Sequence, residues 1–444
     1  MQLLLTGLVP ASGLGDALQY SVSAFLILKS FPHVKLDLAI PDAQPGHCHL
    51  LPTLLTEKRI RLISGLQDQS LPFPINILKD VKGRARLKSR NDKRLYLHAP
   101  QHERPHSNML KILARVIFEK YCTSHISVSY IRPSLCRFLN GLKFDGGFIG
   151  GHTITVPIFD YMIVYNCAKA ITKGPLITFP ISTSAIALRR HTKHLNMIKK
   201  SLNLLDAVFV RGKYSFKMLT RFVDKNRVFM ALDSGFGVKL VYKDPVKAYK
   251  KTREYVIGIV PRRDYFASYR LKEVYVEYLK ALRYLLEGFS NNFDSEILLM
   301  PHAIPSDEYT ISDLMKILNS NVKKCVKVMR PFNVLDSIKI VNSCDVLITS
   351  RMHAGIIALA YGKPTVFFMP KEDTKVLDVL SYLGLDEELY MIDSFDPREY
   401  EKLFQSVKQV LEDLTQEANA VKKCVDKHVL DVEKPIKLMR KLLA

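Results

Sequence analysis

Short apolar or β-branched runs alternate along this chain with longer segments of helical apolar spacing. That alternation constrains the fold more than any other feature. A parallel strand pair needs a crossover of a dozen or more residues, and a helix is the usual one. The spacing predicts strands at residues 3–5, 34–40, 94–98, 144–149, 176–179 and 207–211, with helices running to about Lys29 and over 110–121 and 186–205. Around residues 241–253 the composition turns polar and Lys-rich and contains Pro245, which reads as a linker. A second series follows, with strands at 255–260, 297–300, 326–329, 346–349 and 365–368 and helices at 272–287, 307–318 and 354–361. The expected architecture is α/β: two doubly wound, Rossmann-like domains with a cleft between them. Their boundaries are 1–245 and 246–444, and the second carries a charged, largely helical end from Pro397. Open α/β sheets bind ligands at the carboxyl ends of their strands, so chemistry is sought in the loops that follow strands.

Composition narrows the class. The 444 residues suit two or three domains, and 48% hydrophobic with 24% charged residues suits globular cores. No apolar run approaches the roughly 20 residues that span a bilayer. No positive charge precedes the apolar run at 3–5, and the first lysine is Lys29, so a secretory leader is not expected and the expected location is cytoplasmic. The seven cysteines are scattered, odd in number and free of C-x-x-C pairs, which points to neither a disulfide framework nor zinc. Cys344, in an apolar run, reads as a small buried hydrophobe.

The formal net charge of +22 attracts anions: phosphorylated small molecules, nucleic acid or an anionic membrane face. The densest basic stretch is 79–94, either a solvated loop or a dock for an acidic polymer or lipid headgroup. Peripheral membrane contact is therefore one expectation. No nucleic-acid reading module is recognisable, so no specific nucleic acid is expected. His98, His102 and His106 are evenly spaced, but Pro100 and Pro105 would break a helix aligning them. The letters H-E-x-x-H occur once, at residues 102–106, but Pro105 would break the helix that a zinc site of that spacing needs; with no D-x-D either, no metal is expected, and no Gly-Lys pair continues into a P-loop.

Six strand ends carry candidate residues. After 346–349 come Ser350, Arg351 and His353, ahead of a small-residue helix. Arg351 there is a planar clamp for phosphate or carboxylate, and His353 can deliver a proton near neutral pH. The alternative is a capping histidine and a surface arginine. After 207–210, Arg211 and Lys213 are anion ligands and Ser215 a helix cap, or else all three form a basic turn in solvent. After the first strand, Gly13, Gly15 and Asp16 let backbone approach a ligand. Leu18 replaces the further glycine of a dinucleotide site, so NAD is not expected. Gly146, Gly147, Gly150, Gly151 and His152 suggest a tight cleft wall. Arg262 and His302 follow the strands at 255–260 and 297–300.

The stretch 345–366 resembles the signature of the polysaccharide pyruvyl transferase family, and residues 209–215 are similar to its arginine-containing strand end followed by serine. The turn Gly13 to Asp16, the glycine-rich loop after Phe144, and Pro301-His302 fall in the family's order. The resemblance implies a fold similar to the two-domain GT-B glycosyltransferases. It also implies phosphoenolpyruvate as donor with no further cofactor, and a pyruvate ketal formed on two hydroxyls of a polysaccharide or lipid-linked saccharide. By matching positions it implies that Arg211 and Arg351 hold the donor and that His353 is the general acid. Lys213, Ser350, Arg262 and His302 then join the donor side, and Gly13, Gly15, Asp16, Gly147 and His152 the acceptor side. The chain departs from the pattern at Pro10, in the turn after the first strand. It departs again at Gly212, where the family often has an acid, and after the glycines of 145–152. Two other functions stay open: a GT-B glycosyltransferase using a nucleotide-sugar, and a non-catalytic binder of anionic glycans. Nucleotide-sugar enzymes typically grip ribose with a glutamate on the helix here, and 354–361 has no carboxylate.

Overall fold

A computed structural model of the chain describes residues 1–6, 14–40, 59–64, 143–150, 153–154, 165–166, 168–183, 195–243, 249–263, 272–303, 306–371, 373–394 and 396–444. The strands predicted at 94–98, the helix at 110–121, the basic stretch 79–94, and Gly13, Gly151 and His152 lie outside the described residues.

The first sheet contains β1 (Gln2–Thr6), β2 (Lys35–Ile40), β3 (Ile60–Ser64), β4 (Gly146–Ile149) and β6 (Leu176–Thr178), in the order β3-β2-β1-β4-β6. All its pairings are parallel. Two short parallel pairs flank it: β5 (Thr153–Ile154) with β7 (Ser182–Thr183), and β8 (Val208–Val210) with β9 (Val228–Met230). The second sheet contains β10 (Tyr255–Val260), β11 (Ser295–Leu299), β12 (Val326–Val328), β13 (Val346–Thr349), β14 (Thr365–Met369) and β15 (Met391–Asp393). Its order is β12-β11-β10-β13-β14-β15, again all parallel. Each sheet starts in the middle, winds outward, then returns to the other side. The second sheet therefore reverses between β10 and β13, and the first between β1 and β4. Crevices open at such reversals.

The central strands are buried on both faces, as β10, β13 and β14 show; this is why they read as continuous apolar runs and not as alternating ones. Gly258 has a packing reason. A Cβ there would lie 2.6 Å from Cys344 Sγ, so the glycine admits Cys344, whose thiol burial pushes up to about 12. The short strands β9 and β15 escape sequence reading, because three residues are too few to show a period.

Met1–Ser64 and Phe144–Ala444 form one compact unit. The last helix, Lys434–Leu443, starts with proline at its first turn, where the missing N–H costs nothing. It packs on the first sheet: Met439 Sδ and Leu443 Cδ2 stand 3.3 and 3.4 Å from where a Gly146 Cβ would sit. The chain's end thus ties the two sheets together. Among the described residues, no helix is long and apolar enough to cross a membrane.

One boundary moves with consequence. The spacing predicts a turn through His353, but the helix spans Met352–Ala360 with Arg351 at its N-cap in extended conformation. Thr349 Oγ1 accepts the Arg351 N–H at 2.9 Å, which supplies the cap from the strand side. His353 therefore sits in the first helical turn, its orientation set by the helix.

Candidate active site

Loops from both sheets meet at the two reversals. The helix Leu14–Ser30, which follows β1, abuts the helix that carries His353. A Cβ on Gly15 would lie 2.7 Å from both Cβ and Cγ of His353. Only glycine permits this approach, because any side chain would displace the imidazole. The Leu14 N–H donates to the His302 carbonyl at 3.2 Å, which fastens the same helix start to the loop after β11. Residues predicted separately, Gly15 with Asp16, His302 and His353, thus converge.

Two arginines occupy the centre, each locked to an aspartate. Arg351 donates to Asp307 through Nε at 3.1 Å and through Nη2 as well. Asp307 also accepts the backbone N–H groups of His302 at 3.0 Å and Ala303 at 2.7 Å. Four donors compensate its burial. The Arg351 side chain remains 13% exposed, so part of the guanidinium faces open space. Arg211 is different. It pairs with Asp233 with both side chains 0% exposed, and donates to Ser182 Oγ at 3.1 Å. Asp233 further accepts Gln19 Nε2 at 2.6 Å and caps the turn Ser234–Gly237 through the Gly235 N–H at 2.8 Å.

The histidines are held neutral. His302 is buried, with Nδ1 3.5 Å from Ser337 Oγ and Nε2 without a hydrogen-bond partner among the described residues. Burial pulls it well below the ordinary histidine range, with His353 and Arg351 adding to the effect. His353 is half-buried as a residue, yet its Nε2 is buried and unpartnered among the described residues. Burial also pulls it well down, and the charges of Arg211, Lys375 and Arg262 push the same way. Asp16 moves in the opposite direction. Burial lifts its carboxyl to about 6, against the opposing pull of Arg211, Lys375 and Arg351. Neighbouring acid and base with displaced pKa values in a crevice are the physical mark of a reactive site.

Other expectations divide. Ser350 lies inside the cluster, with its hydroxyl 2.8 Å from Tyr278 OH, and that phenol oxygen accepts the Arg262 N–H at 3.1 Å. Arg262 is close enough to His353 to affect its charge. Lys213 is a correction. Its side chain is 62% exposed, paired with Glu387 at 3.3 Å and over the Tyr214 ring, because the first helical position points it away from the crevice. Ser215 does not cap its own helix. Asp378, from the helix Lys375–Leu383, accepts the N–H groups of Tyr214 at 2.9 Å and Ser215 at 3.1 Å, and Ser215 Oγ donates to it too. Gly212 allows this, since a Cβ there would lie 2.8 Å from the Asp378 Cα. Gly147 is also corrected. It lies within β4, where a Cβ would press on Leu176 Cδ1 at 2.9 Å, so it serves sheet packing and not the crevice.

Five residues were missed by reading the sequence: Gln19, Asp233, Asp307, Asp373 and Lys375. Lys375 follows β14, is buried, and pairs with Asp373 at 2.7 Å while acting on both Asp16 and His353. A signal existed for the aspartates: a buried arginine demands a carboxylate. Nothing local says which one.

No curated protein matches the sequence. Among solved structures, UDP-GlcNAc 2-epimerase from Neisseria meningitidis bound to UDP-GlcNAc superposes with a TM-score of 0.56 at 12% identity, covering 99% of this chain and 100% of that one. The putative UDP-N-acetylglucosamine 2-epimerase from Listeria monocytogenes gives 0.57 at 10% identity, over 99% and 96%. A glycosyltransferase from Rickettsia africae gives 0.51 at 12% identity, over 100% and 98%. These likenesses show the fold, which is GT-B-like as the resemblance implied. The family profile of polysaccharide pyruvyl transferases matches residues 88–372. That span takes in Arg211, Arg262, His302, Ser350, Arg351 and His353. It covers more than half of the sequence, and the chain therefore belongs to the polysaccharide pyruvyl transferase family and is a transferase.

Proposed function

We propose that the protein moves the pyruvyl group of phosphoenolpyruvate onto two hydroxyls of a polysaccharide or lipid-linked saccharide, leaving it there as a ketal. One observation carries the reading: a neutral imidazole, His353, stands within the fields of Arg211, Lys375 and Arg262, in the helical turn that Arg351 starts, at the reversal between β10 and β13. Three or four cations around an uncharged histidine suit a ligand of high negative charge. Such a ligand would neutralise the cations that now depress His353, and so would return a proton to the imidazole only once bound. Arg351, with its partly open guanidinium, and the N–H groups starting the helix Met352–Ala360 offer the direct grip on phosphate or carboxylate. Arg211, sealed from solvent, acts on the charge of the site from behind.

In this reading His353 protonates the methylene carbon, a sugar hydroxyl attacks the neighbouring carbon, phosphate leaves and a second hydroxyl closes the ketal. Positioning and charge complementarity supply the acceleration. No cofactor or metal is required. The net charge of +22 supports a peripheral seat on an anionic membrane for a lipid-linked acceptor.

The test is incubation with phosphoenolpyruvate and p-nitrophenyl hexopyranosides of galacto, gluco and manno configuration. Phosphate release should match a mass gain on the sugar, and His353→Ala should abolish both. Consumption of a nucleotide-sugar by wild type, with full turnover in His353→Ala, would sink the reading. Thermal stabilisation by phosphoenolpyruvate and none by UDP-sugars is the companion expectation.

A further inference from the structure

The cluster holds five buried or half-buried carboxylates, and four are already occupied. Asp307 accepts four donors. Asp233 accepts Gln19 and Gly235 and pairs with Arg211. Asp378 accepts three donors from Tyr214 and Ser215, and Asp373 pairs with Lys375. Asp16 is the exception: whereas Asp373 has its ion pair with Lys375, no described residue donates a hydrogen bond to Asp16 or forms an ion pair with it. It stands one residue past Gly15, whose Cα meets the His353 ring, and lies within the fields of Arg211, Lys375, Arg351 and Asp233. A half-buried carboxylate without a donor costs stability, so its retention in this place asks for a function.

We propose that Asp16 is the base that takes the proton from the attacking sugar hydroxyl, working opposite His353 across the bound donor. This rests on the pyruvyl-transfer reading and deepens it. The protons balance over two steps. First, protonated His353 gives its proton to the methylene carbon. The C=C π bond breaks, the sugar oxygen bonds to the central carbon, and the hydroxyl proton passes to Asp16. Second, Asp16 returns that proton to the departing phosphate as the carbon–oxygen bond to phosphorus breaks. The second hydroxyl then bonds to the same carbon and its proton goes to His353. Ketal and hydrogen phosphate are released, and both groups are back in their starting states. The surroundings fit an exchange of this kind. Burial brings the Asp16 carboxyl to about 6, where it can both accept and return a proton near neutral pH. Asp16 also lies outside residues 88–372, so the family match does not assign it.

Asp16→Asn separates the roles. Turnover with phosphoenolpyruvate and the p-nitrophenyl hexopyranosides should fall by about 10²–10⁴-fold. The thermal shift induced by phosphoenolpyruvate should persist. The melting temperature at pH 7.5 should rise, because the variant no longer buries a costly charge. In Asp16→Ala, added formate should restore part of the turnover. Turnover within threefold of wild type in Asp16→Asn would overturn the proposal. So would lost turnover with a lower melting temperature and no rescue by formate, which would make Asp16 structural. If wild type itself forms no product from phosphoenolpyruvate, the pyruvyl reading fails and this proposal with it. The wild-type control thus tells the two failures apart.

Discussion

Arg211 and Arg351 look alike in sequence: each ends an apolar strand, precedes a turn and leads into a helix. In the fold they differ. Arg211 is 0% exposed and welded to Asp233 between the two halves of the unit, whereas Arg351 keeps 13% of its side chain open beside His353. Asp233 is also held by Gln19 from the first helix, and that helix touches His353 through Gly15. The sealed pair joins the ends of the paired strands β8 and β9, and the open pair lies beside His353. A shared motif therefore yields one sealed arginine and one partly open one.

Mutation can break that contrast. The largest effect belongs to Arg211→Met, which strands Asp233 as a buried charge. Urea unfolding should show a loss of about 3–5 kcal/mol, most of it recovered in Arg211→Met/Asp233→Leu. Arg351→Met should cost less, about 1–3 kcal/mol, since Asp307 keeps two backbone donors. Its main effect should be loss of the phosphoenolpyruvate-induced thermal shift. If the two costs were equal, the contrast would collapse. The third effect depends on pH. His302 and His353 are pulled below their unfolded values, so below about pH 6.5 the unfolded chain binds more protons and stability falls with falling pH. The stability of wild type relative to His302→Leu should decline between pH 7.5 and 5, by up to about 1.4 kcal/mol per unit. The smallest effect is Lys213→Ala, which removes an exposed pair. It should change stability by less than about 1 kcal/mol and leave turnover within twofold.

Much of this was legible in the sequence. The strands β10 and β13 have the bounds that spacing predicts, and Arg262, His302, Arg351 and His353 follow strands as expected. The errors were local. Lys213 was read as facing the crevice because strand-end logic says nothing of which way a helix's first residue turns. Gly147 was read as part of a cleft wall on the acceptor side, although it falls inside the strand predicted at 144–149, because its packing against Leu176 is invisible along the chain.

The sequence by itself determined two parallel sheets and the edge at which chemistry sits. Strand and helix periods are properties of the local backbone, and strands buried on both faces show as apolar runs wherever they occur. Only the tertiary structure decided the partnerships. Asp307 reaches Arg351 from 44 residues away, and Asp378 reaches Ser215 from 163. Charge pairing and burial depend on which distant segments the fold brings together, and no local period encodes that. The same fact leaves Asp16, one residue from the glycine against His353, without a hydrogen bond or ion pair among the described residues, while the neighbouring carboxylates each have one or the other.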